Sequence, residues 1–171
     1  MRDGKVPDWI VHICVAYLVC RILYFKYPLF NSANTTLAMV GALLPDIIKL
    51  QIIFSQIGID LTDFLPVFHI PITSFLMAGV ISLFFENKKI AFLFLVIGAI
   101  SHFAMDSLLF DIGEGMYLFF PFSWQSFHMD LIPPDDYWIT LFILTLTFLV
   151  YLLGLWIQKY QNIPVDKETV D

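Results

Sequence analysis

Long apolar runs separated by short polar turns follow one another along most of the chain. A helix that crosses a bilayer needs about 20 mostly apolar residues, with about 17–25 tolerated. Five runs meet or approach this length, so the pattern predicts an all-α fold, a polytopic transmembrane helix bundle of about five spans. The runs cover residues 9–25, 35–57, 69–85, 90–110 and 137–157.

The second run is interrupted by Pro45-Asp46, and the proline predicts a broken helix there because its ring removes a backbone donor and clashes with the preceding turn. The chain shows no internal repeat and no low-complexity segment. We therefore expect one membrane-embedded helical domain over residues 1–160. A polar cytoplasmic tail is expected over residues 161–171.

Composition narrows the class of protein. Apolar residues make up 59% and charged residues 14%, against about 45–50% and 25% in soluble domains. This balance excludes an ordinary cytosolic enzyme and a disordered protein. Nine Lys and Arg against fifteen Asp and Glu give a net charge of −6, which argues against nucleic acid as a partner. The membrane is the expected environment.

The basic residues predict an orientation, because such residues favour the cytoplasmic side of a membrane. With five crossings, most of the basic residues that flank the predicted spans fall on one side, whereas Arg2 and Lys5 fall on the other, beside Asp3 and Asp8. The residues on the first side are Arg21, Lys26, Lys88, Lys89 and Lys159. The loop over residues 111–136 has no Lys or Arg and is placed outside. We predict a multi-pass protein of the inner (cytoplasmic) membrane of a prokaryote.

Five ionisable residues fall inside the apolar runs, where charged groups are costly and usually find partners within the bundle. They are His12, Asp46, His69, His102 and Asp106. With a rise of about 1.5 Å per residue, all five fall in the outer half of the bilayer. His102 and Asp106 are four residues apart and share one helical face. Imidazole and carboxylate together suit zinc, or less selectively manganese and iron. The sequence therefore predicts one divalent metal site near the extracytoplasmic surface.

Each of these residues also has a simpler explanation. His12 and His69 could be interfacial polar residues at helix ends, and His102 with Asp106 could form a hydrogen bond within one helix. Asp46 could cap the helix that follows the proline. Taken together the five residues favour the metal site, because five separate explanations would otherwise have to hold at once. His128 is interpreted as a loop histidine.

Two short motifs resemble those of a known family. Residues 41–46 read Gly-Ala-Leu-Leu-Pro-Asp, and residues 98–106 read Gly-Ala-Ile-Ser-His-Phe-Ala-Met-Asp. With the early histidine, Gly115 and the Phe-Pro-Phe-Ser of residues 120–123, they resemble the DUF457 family. Its members are described as membrane-bound metal-dependent hydrolases of the YdjM/YbcI type. The resemblance spans about residues 9–125.

The resemblance implies that the five ionisable residues form the metal site of a hydrolase. The pattern also has a more distant likeness to zinc-dependent phospholipase C, in which helical His and Asp residues surround a metal cluster. The predicted position of the site, just below the outer lipid–water boundary, favours a phospholipid or another lipid-linked phosphoester as substrate. One segment departs from the family pattern, which reads His-Arg-x-x-Thr-His-Ser. Residues 69–74 read His-Ile-Pro-Ile-Thr-Ser and lack the arginine and the second histidine.

The expected activity is hydrolysis by a metal-activated water, with Asp106 and Asp46 as the catalytic carboxylates. Two alternatives remain open: a non-catalytic membrane protein with a structural metal, and a component of proton or metal transport. The aromatic loop over residues 111–136 is either an interfacial lid or a membrane anchor. The oligomeric state is left open.

Overall fold

The computed structural model describes residues 8–60, 65–108, 117–133 and 137–161. The described residues form six α-helices and two 3-10 helices and contain no strand, which confirms the all-α prediction. The α-helices are α1 (Asp8–Tyr24), α2 (Ser32–Gly41), α3 (Gln51–Gln56), α4 (Pro71–Ser82), α5 (Lys88–Asp106) and α6 (Tyr137–Gln161). The 3-10 helices are Pro45–Leu50 and Leu65–His69. The predicted cytoplasmic tail lies outside the described residues, except for Gln161 at the end of α6.

Two helices are long and apolar enough to cross a membrane: Lys88–Asp106 in α5 and Tyr137–Ile157 in α6. The apolar part of α1, Trp9–Tyr24, and the whole of α4 are shorter. At about 1.5 Å per residue, α2 and α4 are only about 15 and 18 Å long, against a hydrocarbon core of about 30 Å. The prediction of about five spans is therefore not confirmed.

The apolar runs are longer than the helices because prolines interrupt them. The second run is divided into α2, the 3-10 helix that begins at Pro45, and α3, so the predicted break at Pro45-Asp46 is present. The third run becomes α-helical only at Pro71, which occupies the first turn of α4. Proline is tolerated there because the first turn of a helix has no acceptor for its missing N–H.

Helices α2 and α5 approach each other backbone to backbone. A Cβ added to Gly98 would lie 1.9 Å from the carbonyl oxygen of Ala38, and one added to Gly41 would lie 2.1 Å from that of Leu95. Ala38 on α2 and Ala42 directly after it are fully buried. Small residues at a crossing permit this close packing between membrane helices.

Helix α6 stands at the edge of the bundle and packs on α1. Its large apolar side chains are mostly exposed, including Trp138 (78%) and Phe142 (67%). A helix that is apolar on all faces and exposed on most of them suits a lipid environment.

The close approach of α2 and α5 at Gly98 predicts that alanine lowers stability there but not at Gly79 of α4. Gly98→Ala places a methyl group against backbone atoms, which cannot move aside locally, and overpacking of this kind costs about 1–3 kcal/mol or more. We expect a lower midpoint of thermal unfolding in detergent. Gly79→Ala on α4 is the matched control, because its nearest contact would be an ordinary 3.8 Å to the Phe92 ring. The control should be neutral or stabilising, since alanine favours helix by about 1 kcal/mol over glycine. Equal melting of the two variants would contradict the packing described.

Candidate metal centre

The five ionisable residues singled out in the apolar runs come from four segments and meet in one cluster. His12 lies in α1, and His102 and Asp106 in the last turns of α5. Asp46 lies in the first turn of its 3-10 helix, and His69 ends the other. His12, Asp46 and His102 are buried, with 5%, 3% and 0% of their surface exposed.

The carboxylate of Asp106 is the centre of the cluster and contacts three imidazoles. Its Oδ1 lies 3.2 Å from His12 Nε2. Its Oδ2 lies 3.0 Å from His69 Nε2 and 3.0 Å from His102 Nε2. The two latter nitrogens are 3.3 Å apart. Asp46 is more distant, with its Oδ1 3.9 Å from His102 Nε2.

A backbone hydrogen bond fixes the tautomer of neutral His102. Its Nδ1 lies 2.8 Å from the carbonyl oxygen of Ala42, and a carbonyl only accepts, so Nδ1 donates. In neutral His102 the Nε2 atom then carries a lone pair, and it faces the Asp106 carboxylate and the Nε2 of His69. Acceptors this close require a cation or a proton between them.

His12 adds a third nitrogen and a buried polar atom. Its ring stacks on that of His102, with the centroids 3.8 Å apart. Nε2 faces Asp106, whereas Nδ1 is buried and has no hydrogen-bond partner among the described residues. Buried polar atoms without a partner are rare in native proteins and require an explanation.

The spacing of the donor atoms fits a divalent cation. Metal–nitrogen bonds of 2.0–2.1 Å place the ligand atoms of a tetrahedral site about 3.3–3.4 Å apart. The observed separations among His69, His102 and Asp106 are 3.0, 3.0 and 3.3 Å. A second set comprises His12, Asp46 and His102, and the ligand atoms of each set lie within 4.8 Å of one another. Both sets mix imidazole and carboxylate, which suits zinc, manganese or iron.

Local hydrogen bonds hold the 3-10 helix of His69 against the start of α4. The Ser74 hydroxyl donates to the carbonyl of Phe68 at 2.8 Å. The Thr73 hydroxyl lies near two carbonyls of the same segment, those of Val67 and Ile70. These bonds orient His69 although its side chain is 31% exposed. Since Asp106 is only 15% exposed, the cluster opens to its surroundings on the His69 side.

An aromatic segment adjoins this end of α5. The amides of Met129 and Leu131 donate to the carbonyls of Ser107 and Leu108 at 2.8 and 3.0 Å. The segment exposes large aromatic side chains. They are Phe119 (62%), Phe122 (96%) and Trp124 (71%). Residues 109–116 and 134–136 of the loop lie outside the described residues.

His128 belongs to this segment and is separate from the cluster. Its Nε2 lies 3.5 Å from the carboxylate of Asp130. This placement agrees with its interpretation as a loop histidine.

The sequence interpretation missed the groups that position the cluster. The Ala42 carbonyl, the Gly41–Gly98 contact and the Ser74 hydroxyl do not stand out as chemistry-bearing residues. The available signal was the set of small residues at the start of each motif and just before the first one: Ala38, Gly41, Ala42, Gly98 and Ala99. Such residues mark a close helix crossing.

Comparison with known proteins adds one finding. The family model described as YdjM inner membrane protein matches residues 8–164. The chain belongs to this family. The resemblance inferred from the two motifs is thus confirmed, and the family description supports a location in the inner membrane.

Other comparisons gave no match. No curated protein matches this YdjM family member, and no solved structure does. The likeness to zinc-dependent phospholipase C is therefore not shown.

The cluster predicts metal binding that depends on its central residues. We expect purified wild-type protein to retain a divalent metal, measured by inductively coupled plasma mass spectrometry. The metal content of His102→Ala and Asp106→Ala should be at least about tenfold lower. Removal of a group that only hydrogen-bonds to a ligand already weakens metal binding about 10–100-fold. His128→Ala, outside the cluster, is the matched control and should keep it. Equal metal content in all four proteins would place the metal elsewhere.

Proposed function

We propose that this YdjM family member is a membrane-embedded, metal-dependent hydrolase acting on a phospholipid or another lipid-linked phosphoester. One observation supports this above all: three imidazole nitrogens converge on the carboxylate of Asp106 in a largely buried cluster that opens at His69. Hydrolytic metal sites combine such ligands with an open position for water. Zinc is the metal we expect.

The residues divide into ligands and a base by their contacts. His69, His102 and Asp106 would hold the metal, because their donor atoms lie 3.0–3.3 Å from one another. His12, whose Nε2 lies 3.2 Å from Asp106 Oδ1, would complete the set, and water would add a fifth ligand. A bound divalent cation would lower the pKa of a water molecule towards 7 and polarise a phosphoryl oxygen.

Asp46 suits the role of general base. Its carboxylate is 3% exposed and lies beside the cluster, 3.9 Å from His102 Nε2. It could therefore accept a proton from the attacking water while Asp106 stays on the metal. We retain Asp106 as the second catalytic carboxylate, since it contacts three of the proposed ligands and would orient them.

The surroundings of the cluster support an amphipathic substrate. The exposed Phe122 and Trp124 lie in the segment bound to the end of α5, and aromatic side chains favour the lipid–water boundary. Lys88 and Lys89 begin α5 at its other end. By the positive-inside rule the cluster would then face the extracytoplasmic side. A lipid would present its ester bond there with its apolar chains in the bilayer.

A structural metal is the second candidate. Asp106 joins α1 and the 3-10 helix before α4 to α5 through its contacts with His12 and His69. A cation at this point would connect three segments. The residue after His69 is isoleucine where the family pattern has arginine, so this chain lacks that group for phosphate recognition.

Turnover by an Asp46→Asn variant tests the proposed function. Zinc-loaded protein in proteoliposomes would be assayed on a panel of phospholipids, with release of phosphate or phosphorylated headgroup as the measurement. Asp46→Asn should keep its metal and lose turnover about 10²–10⁴-fold, because general bases contribute about that much. His128→Ala is the control and should retain full turnover.

The two candidates give different outcomes. If the metal is structural, the wild type cleaves no lipid in the panel and chelation lowers its midpoint of thermal unfolding. If the protein is a hydrolase, the loss in Asp46→Asn appears in kcat at an unchanged melting midpoint.

A further inference from the structure

A cavity lies between α1, α2 and α6, away from the metal cluster. Its volume is about 560 Å³, within the range of about 300–1,000 Å³ typical of small-molecule sites. None of the five cluster residues lines it. Arg21 at its far end follows His12 by nine residues on α1, a rise of about 14 Å.

The two ends of the cavity differ in chemistry. Arg21 near the end of α1 and Ser32 at the start of α2 line one end, next to Gly154 of α6. Ile13 and Leu144, earlier in α1 and α6, line the other end. Tyr17 lies near Tyr151 and Arg21 against Gly154, so α1 and α6 run in the same direction. The cation of the lining is therefore at the end opposite Ile13 and Leu144, and threonine, tyrosine and apolar side chains share the space between. The cavity is therefore amphipathic.

Arg21 forms no ion pair with an acidic residue in the described part of the chain. Its guanidinium packs against Gly154, where a Cβ would lie 2.7 Å from Arg21 Nη2, and lies 5.4 Å from the ring centre of Tyr24. Arginine stays charged in proteins, and a charge among apolar helices favours a counter-anion.

We propose that this cavity binds one anionic phospholipid, with its phosphate at Arg21 and Ser32 and an acyl chain between α1 and α6. The planar guanidinium matches phosphate oxygens in a bidentate geometry. Basic pockets between membrane helices take anionic headgroups on this principle. The acyl chain would cover Ile13 and Leu144. The site does not depend on the proposed hydrolase activity.

Native mass spectrometry of the full chain in neutral detergent tests the headgroup. The probes are phosphatidylglycerol and phosphatidylcholine with identical acyl chains. Wild type should retain phosphatidylglycerol in preference, and Arg21→Gln should weaken its retention about tenfold. Lys26→Gln is the matched control, since Lys26 is an exposed cation near the same end of α1. Lys26→Gln should bind as wild type does.

A cavity-filling variant tests the acyl chain without touching the charge. Leu144→Trp should weaken phosphatidylglycerol retention, whereas Leu146→Trp should not, because Leu146 is 39% exposed and lies outside the lining. A melting curve of each variant would check that it folds. This arm stays informative if Arg21→Gln fails to fold.

Several results would overturn the proposal. Equal retention of the two lipids, or of phosphatidylglycerol by wild type and Arg21→Gln, would remove the anion site. Equal loss in Arg21→Gln and Lys26→Gln would indicate unspecific attraction. Displacement of the lipid by an equal concentration of glycerol 3-phosphate would show that the cavity binds an anion but no acyl chain. A change of oligomeric state in Leu144→Trp, with lipid retention intact, would assign the cavity to a second copy of the chain.

Discussion

The backbone contact between α2 and α5 at Gly41 and Gly98 sets the geometry on which the cluster depends. It brings the Ala42 carbonyl within 2.8 Å of His102 Nδ1, one helical turn beyond Gly98. The chain then turns at Pro45 and buries Asp46 beside the same imidazole. A larger residue at either glycine would separate two helices that together position these groups.

Electrostatics explains why such a cluster favours a cation. Two carboxylates in a poorly hydrated site are costly unless they are paired. Neutral imidazoles cannot supply the compensating charge, yet three of them turn Nε2 towards the Asp106 carboxylate. Protonation of several histidines would balance the charge but would place positive rings in stacked contact, as His12 and His102 are 3.8 Å apart. One divalent cation satisfies the carboxylates and the lone pairs together.

The all-α class and the five ionisable residues of the cluster were both predictable from the sequence. Ionisable groups in apolar runs need partners, and the four-residue spacing of His102 and Asp106 places them on one helical face. The structure brings all five residues together, and their roles as ligands and base stay predictions. The number of spans was not predictable from hydropathy, because an apolar run records composition and not helical continuity. Pro45 divides the second run, and α4 begins only at Pro71 and ends at Ser82, so α2 and α4 are both shorter than the thickness of a bilayer.

X-ray absorption at the zinc edge of the purified, zinc-loaded protein tests the central claim most directly. That claim is that imidazoles and the Asp106 carboxylate share one cation. It predicts a first shell of nitrogen and oxygen at about 2.0–2.2 Å, with the outer-shell scattering of at least two imidazole rings. A sulfur shell at about 2.3 Å, which would indicate Cys14 or Cys20, would contradict it. So would a nitrogen and oxygen shell without imidazole scattering.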